Sequence, residues 1–197
     1  MPSQAVKKSA APQSAVALFA RNFFKYPSML GSVVPSSRFL VNDLMAQVDW
    51  DRARVVVEFG PGVGTITREV LKRMRPDAVL LVIELNEDFV QYLSNTIRDS
   101  RLRVVHGSAA QVRRILSEYG LAPADYIISS LPYSLLPETL RMEIVAESRH
   151  ALKAKGSLVV FQYNRTLLPY LKSSFSSVKL NFQPLNILPA LIFHCTP

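Results

Sequence analysis

The sequence predicts one α/β domain: a seven-stranded, mostly parallel sheet flanked by helices, with the last two strands forming an antiparallel hairpin. Three observations predict it. Short apolar, β-branched runs recur along the chain and alternate with segments of helical periodicity. A glycine-punctuated turn follows the first of these runs, at the place where a parallel sheet binds ligands. The 197 residues, 49% of them hydrophobic, suffice for one substantial core and leave no stretch for a separate substrate domain.

The chain opens with a small-residue, polar tail over residues 1–13. In residues 14–25, Val16, Phe19, Ala20, Phe23 and Phe24 fall on one helical face, opposite Ser14, Arg21 and Lys25. Tyr26-Pro27-Ser28 breaks this pattern, and residues 31–37 form a loop in which Ser36 or Ser37 can cap a helix over residues 38–47. Residues 14–50 therefore read as an N-terminal helical cap and loop, and residues 51–197 as the core. Apolar runs place strands at residues 55–59, 79–84, 102–106, 124–130 and 156–163, and a closing antiparallel pair at residues 178–187 and 190–195.

The most informative segment is Val57-Glu58-Phe59-Gly60-Pro61-Gly62-Val63-Gly64-Thr65. A strand, a glycine turn and a helix make a nucleotide-binding unit, because missing Cβ atoms let a ligand approach the backbone. A dinucleotide fingerprint needs a small residue where Thr65 stands. The G-x-G-x-G form with an acid two places upstream resembles motif I of class I S-adenosylmethionine (SAM) methyltransferases, which have a Rossmann-like fold. That resemblance implies a site for SAM at Gly60, Gly62 and Gly64, with Glu58 facing the cofactor's cationic methionine end. Glu84 ends the second strand, twenty positions after Gly64, where an acid can accept both ribose hydroxyls. Its alternative role is to cap the helix starting near Asn86-Glu87-Asp88. By the same resemblance, Ser108 and Ala109 edge the adenine. Most relatives carry Asp where this chain has Ser108, and a hydroxyl can still make one such hydrogen bond.

After the fourth strand, Ser129-Ser130-Leu131-Pro132-Tyr133 resembles the Asn-Leu-Pro-Tyr motif of rRNA adenine dimethyltransferases, with Ser130 in place of the amide. A closer resemblance runs from about Phe23 onward, to the small bacterial phospholipid N-methyltransferases that act on phosphatidylethanolamine. It rests on Gly31-Ser32-Val33-Val34-Pro35-Ser36-Ser37-Arg38, on motif I, on Ser130-Leu131-Pro132 with Pro137, and on Phe161-Gln162-Tyr163. Tyr133 departs from the aliphatic residue expected there. The resemblance implies that Ser36 and Ser37 lie beside the cofactor and that residues 14–25 bind an anionic membrane surface. Residues 14–25 can also be read as a helix docked on the protein's own core. The resemblance further implies that Ser130 and Tyr133 form the catalytic loop and that Gln162 and Tyr163 line the acceptor pocket. Methyl transfer is an in-line displacement by a neutral nucleophile, so alignment dominates. A primary amine, with a solution pKa of roughly 10.4, must lose its proton first.

Charge and composition bound the partners. The excess of 23 basic over 15 acidic residues favours a polyanion, either an anionic membrane or nucleic acid, or serves solubility alone. One cysteine, Cys195, precludes an intramolecular disulfide, and no Cys/His spacing suits a metal. No apolar stretch reaches the roughly 20 residues of a spanning helix, and Arg21 interrupts anything like a signal peptide. His106, His150 and His194 lie in predicted strands and a helix and are not expected to be catalytic. The expectation is a cytoplasmic enzyme, peripheral on the inner face of the cell membrane, that needs no protein partner and methylates a lipid amine. The alternatives are a methyltransferase for adenine in RNA or for a soluble small molecule, and a non-catalytic SAM-binding or membrane-associated module.

Overall fold

A computed structural model describes residues 37–197. The predicted amphipathic helix at 14–25 and Ser36 lie outside the described residues. Seven strands form one sheet: β1 (Val55–Phe59), β2 (Val79–Glu84), β3 (Leu102–His106), β4 (Ala124–Ser129), β5 (Leu152–Gln162), β6 (Ser177–Gln183) and β7 (Ala190–Thr196). Their order is β3-β2-β1-β4-β5-β7-β6. The first five are parallel, and β7 runs antiparallel to both β5 and β6. This is the predicted fold, with one refinement: the last strand inserts between β5 and β6.

Helices cover both faces, which is why the central strands read as unbroken apolar runs. On one face lie α1 (Arg38–Met45), α2 (Thr65–Arg73) and α3 (Glu87–Thr96), with Leu40, Leu44, Val70 and Leu93 packed on Val56, Leu80 and Val82. On the other lie α4 (Val112–Glu118), α5 (Glu138–Ala151) and α6 (Leu168–Ser174), with Ile115, Val145 and Leu171 packed on Val57, Phe59 and Ile127. Each fully buried Leu, Ile or Phe contributes about 1.5–3 kcal/mol to this sandwich. Ser37 is the N-cap of α1, its hydroxyl accepting from the Leu40 N–H, as one of the two predicted serines should.

Two strand ends differ from expectation by more than one residue. β5 starts at Leu152, four residues before Gly156, because Leu152 pairs with Ala124 and the Lys153 ammonium meets Asp125 Oδ1 at 2.6 Å. β6 stops at Gln183, since Pro184 has no N–H to continue the ladder.

The register between β4 and β5 shifts between Ala124 and Tyr126, and a Cβ at Gly156 would stand 2.9 Å from the carbonyl oxygens of both Ala124 and Asp125. Gly156→Ala is expected to cost about 1–3 kcal/mol, seen as a lower urea midpoint at unchanged slope. SAM affinity should hold, because Gly156 lies at the edge of the sheet away from the glycine turn.

Candidate active site

The strand order sets the place of the site. From β1 the chain moves outward through β2 and β3, then returns to lay β4 on the other side of β1. The carboxyl ends of β1 and β4 therefore diverge around a crevice, the usual ligand position in such sheets. Gly60 opens the turn after β1, and Ser130 opens the loop after β4. Their backbones are joined as the Ser130 N–H donates to the Phe59 carbonyl at 3.0 Å.

Gly60, Gly62 and Gly64 all have positive φ, at 65°, 54° and 80°. The three have different surroundings. A Cβ at Gly60 would lie 2.8 Å from Leu131 Cδ2, and one at Gly64 would lie 2.6 Å from Leu93 Cδ2. A Cβ at Gly62 would meet no atom within 4 Å. Gly60 and Gly64 thus serve packing, while Gly62 borders open space at the crevice.

Two buried acids flank this turn. Glu84 is 6% exposed at the tip of β2; its Oε2 accepts from the Gly62 N–H at 3.3 Å and its Oε1 from the Asn86 N–H at 2.9 Å. Burial pushes its pKa up, and the N–H groups of Asn86, Gly62 and Leu85, with nearby His106, draw it back. The helix cap itself is Asn86, whose side chain accepts from the Asp88 N–H, so capping does not use up Glu84. Glu58 is fully buried under α2, and among the described residues neither carboxylate oxygen has a well-formed hydrogen bond. Desolvation raises its pKa to about 8; Thr67 beside it moderates the shift and the charge of Glu84 adds to it. Ser108 follows β3 on the same edge, its hydroxyl accepting from the Ala110 N–H at 3.3 Å, and Ala109 packs into the core. The Gly107 N–H donates to the Glu84 carbonyl at 3.0 Å, tying this loop to the tip of β2.

The β4 loop is held from several sides. Tyr133 is fully buried, its hydroxyl 3.1 Å from Ser129 Oγ, and burial raises its pKa far above the ordinary phenol value. Gln162 Nε2 donates to the Leu131 carbonyl at 2.8 Å. Arg141, only 8% exposed, donates to the carbonyls of Tyr133 and Leu136 at 3.0 and 3.1 Å. Its guanidinium lies 5.3 Å from the Tyr170 ring centre, and the Tyr170 hydroxyl donates to Glu138 at 2.7 Å. The Ser130 hydroxyl, by contrast, has no partner among the described residues. Tyr163 is half-buried with its ring edge-on to Phe161 at 6.0 Å, and its hydroxyl interacts with Asn186.

The crevice thus brings together Glu58, Gly60, Gly62, Glu84, Ser108 and Ser130. It does not bring the Ser37 hydroxyl there: that group accepts from Leu40 and donates to the Leu185 carbonyl at 2.7 Å. Tyr133 and Gln162 act inside the loop rather than at its open side. Arg141 was not anticipated, although it falls on the buried stripe of α5 with Ile144, Val145 and Ser148, where a lone cation is a signal. Beside the turn, a separate cleft of about 560 Å³ is lined by Arg38, Arg68, Lys72, Glu69 and Tyr92 among others.

This fold and crevice define a SAM-dependent methyltransferase. The residues fit such a cofactor: open space at Gly62, a carboxylate at Glu84 that could take ribose hydroxyls, and at Glu58 a buried acid that a cation would draw into its ionised form. The chain belongs to the methyltransferase small domain family, whose model matches residues 30–184. It is 30% identical to the ornithine lipid N-methyltransferase of Singulisphaera acidiphila over 184 residues, 90% of this chain and 94% of that one. It is also 30% identical to ribosomal RNA small subunit methyltransferase A of Mycoplasma capricolum, over 51% of this chain and 37% of that one. In fold it resembles the N-methyltransferase NodS of Bradyrhizobium japonicum WM9, with a TM-score of 0.63 at 15% identity over 80% of this chain and 94% of that one. The precorrin-6y C5,15-methyltransferase of Geobacter metallireducens GS-15 gives a TM-score of 0.64 at 13% identity over 80% of this chain and 87% of that one.

Two outcomes follow from the turn and its acids. Gly62→Val should weaken SAM binding tenfold or more, at least about 1.4 kcal/mol, with a modest loss of stability. Gly64→Val should instead unfold the protein more readily, by about 2–4 kcal/mol from strain and overpacking together. Calorimetry and thermal melts on the pair separate the two roles.

Glu58 gives a pH signature. Its pKa is 4.5 in the ordinary state and about 8 here, so the folded protein keeps a proton that the unfolded chain loses. Stability from this group is full below about 4.5 and declines as pH rises through about 8. Glu58→Gln should flatten that decline. Because a cation favours the ionised carboxylate, SAM binding near pH 7 should release protons in the wild type and fewer in the variant. Calorimetry in buffers of different ionisation enthalpy reads this directly, and equal proton release would clear Glu58 of the role.

Proposed function

We propose that the protein is an N-methyltransferase for the amine headgroup of a membrane lipid, with phosphatidylethanolamine and its partly methylated forms as the first candidates. The observation that carries this reading is the polarity of the β4 loop. The carbonyls of Leu131, Pro132 and Tyr133 already accept hydrogen bonds within the protein, from Gln162, Leu135 and Arg141 among others. That leaves Ser130 Oγ, at the start of the loop, as a buried polar atom without a partner among the described residues. One short hydroxyl suits a small aliphatic amine better than the extended edge of a base, which needs several placed acceptors. The likeness to the ornithine lipid enzyme along nearly its whole length supports the same choice, whereas the ribosomal enzyme is matched along little more than a third.

SAM supplies an electrophilic methyl group; the protein's residues must align a neutral amine with it. The packed loop of Leu131, Pro132 and buried Tyr133 lowers the amine pKa by desolvation. Ser130 Oγ accepts one amine hydrogen and so orients the nitrogen lone pair. Tyr133 is a positioning residue in this scheme, since a phenol with so high a pKa is a poor base and its hydroxyl is engaged with Ser129. Among the described residues no helix is long and apolar enough to cross a membrane.

Tyr133→Phe should cost about 0.5–1.5 kcal/mol of stability and leave the turnover pH profile in place; loss of the limb that rises with pH would make Tyr133 the proton acceptor instead. The substrate is tested with radiolabelled SAM and a panel of phosphatidylethanolamine, its monomethyl and dimethyl forms, ornithine lipid and structured RNA. Label is expected in the lipid amines, and label in RNA alone would refute the lipid reading.

A further inference from the structure

The loop joining β6 to β7 is an apolar tip on an otherwise ordinary surface. Leu185, Ile187 and Leu188 are 57%, 71% and 51% exposed, and Phe182 at the end of β6 is 63% exposed. Scattered apolar residues need no explanation, but four within seven positions on one hairpin form a patch that calls for a partner. Its place in the fold is informative. β6 and β5 are each antiparallel to β7, so they run the same way, and the tip leaves the sheet at the edge that carries the glycine turn and Ser130.

The tip is also tied down by hydrogen bonds. Asn186 Oδ1 accepts from the Ser37 N–H at 2.9 Å, and its Nδ2 donates to the Leu188 carbonyl at 2.9 Å. The Leu185 N–H donates to Gln183 Oε1 at 2.8 Å, and the Leu185 carbonyl accepts from Ser37 Oγ. These backbone groups are therefore satisfied internally while the side chains point outward. A hairpin held so can present its side chains to the interfacial zone of a bilayer, where headgroup water meets the remaining backbone groups.

The surrounding charge names the medium. Glu147 is the last acidic residue; residues 148–197 hold six Lys and Arg and no Asp or Glu. Of these, Arg165 just past β5 and Lys179 on β6 before Phe182 are exposed, as is Arg38 next to Ser37, while the nearby Asp43 carboxylate accepts from the Gln183 side chain at the end of β6. Cations alone would also suit RNA, but an RNA backbone offers nothing to leucine and isoleucine side chains. Apolar tip and cationic surround together match an anionic bilayer.

We propose that the β6–β7 tip is a membrane-docking surface: Phe182, Leu185, Ile187 and Leu188 enter the interface of an anionic bilayer while Arg38, Arg165 and Lys179 meet lipid phosphates. This rests on the lipid-amine reading above and adds to it the surface that sets the crevice against the headgroups.

The test uses the full chain and vesicles of phosphatidylglycerol mixed with phosphatidylcholine. A double variant, Ile187→Ser with Leu188→Ser, should lose vesicle binding roughly tenfold or more, with melting temperature and SAM affinity unchanged. In parallel, Ile187→Cys carrying a polarity-sensitive fluorophore should shift to the blue on vesicles, whereas the same label at exposed Tyr119→Cys, on the opposite edge, should not. Native Cys195 is buried and does not compete for the label. Unchanged vesicle binding by the serine variant overturns the proposal. So does a label at 187 that is already blue-shifted without lipid, which would place residues 14–25 over the tip, or one that responds to RNA and not to vesicles. Methylation of lipid amines dispersed in detergent, measured alongside, keeps the two readings apart: activity there with unchanged docking sinks the tip alone, and its absence sinks the lipid substrate.

Discussion

Leu131 lies where a side chain on residue 60 would have to be. The turn after β1 and the loop after β4 pack so closely that a Cβ on Gly60 would come within 2.8 Å of Leu131 Cδ2. That contact joins the two walls of the crevice. Moving one loop moves the other, and both are fixed to the same strand by the hydrogen bond from Ser130 to Phe59. The supports behind them make sense in this light. Gln162 holds Leu131 from β5, and Arg141 holds the far end of the loop from α5. Transfer between two small groups tolerates little misalignment, and here alignment is set by packed backbone.

The electrostatics of the crevice are equally constrained. Two glutamates sit at adjacent strand ends, close enough for the charge of one to raise the pKa of the other. Glu84 is stabilised by backbone N–H groups, while Glu58 has little beyond Thr67. Such an uncompensated buried acid weakens the folded state, and functional sites retain this kind of cost. A positively charged ligand relieves it. The empty protein is therefore expected to be the less stable form, and the liganded protein the one in which both acids are at rest.

Much of this was legible in the sequence because the signals are local. β1 and β2 are buried on both faces, so each residue from Val55 to Phe59 had to be suitable for a core, and Glu58 and Glu84 stood out as exceptions. Ser37 lay where a cap was needed. What escaped depends on contacts distant in sequence. The polar start of β5 looks like a loop until Asp125 is brought to Lys153 across 28 positions. Gln162 and Tyr133 have the composition of a substrate pocket, but they turn to the loop and to Ser129. The role of Arg141 depends on the carbonyls of Tyr133 and Leu136, which only the folded chain brings within its reach.

The reversed strand bears on how the molecule is made. β7 follows both β5 and β6 in the chain, yet it lies between them and, among the described residues, is the only strand that β6 pairs with. Until it emerges from the ribosome, β5 has an open edge and β6 has nothing to pair with. A half-made sheet of this kind is a template for unwanted pairing. The cationic start of β5, Lys153 to Lys155, and the polar residues from Lys172 that lead into β6 carry the kind of composition that keeps such edges apart.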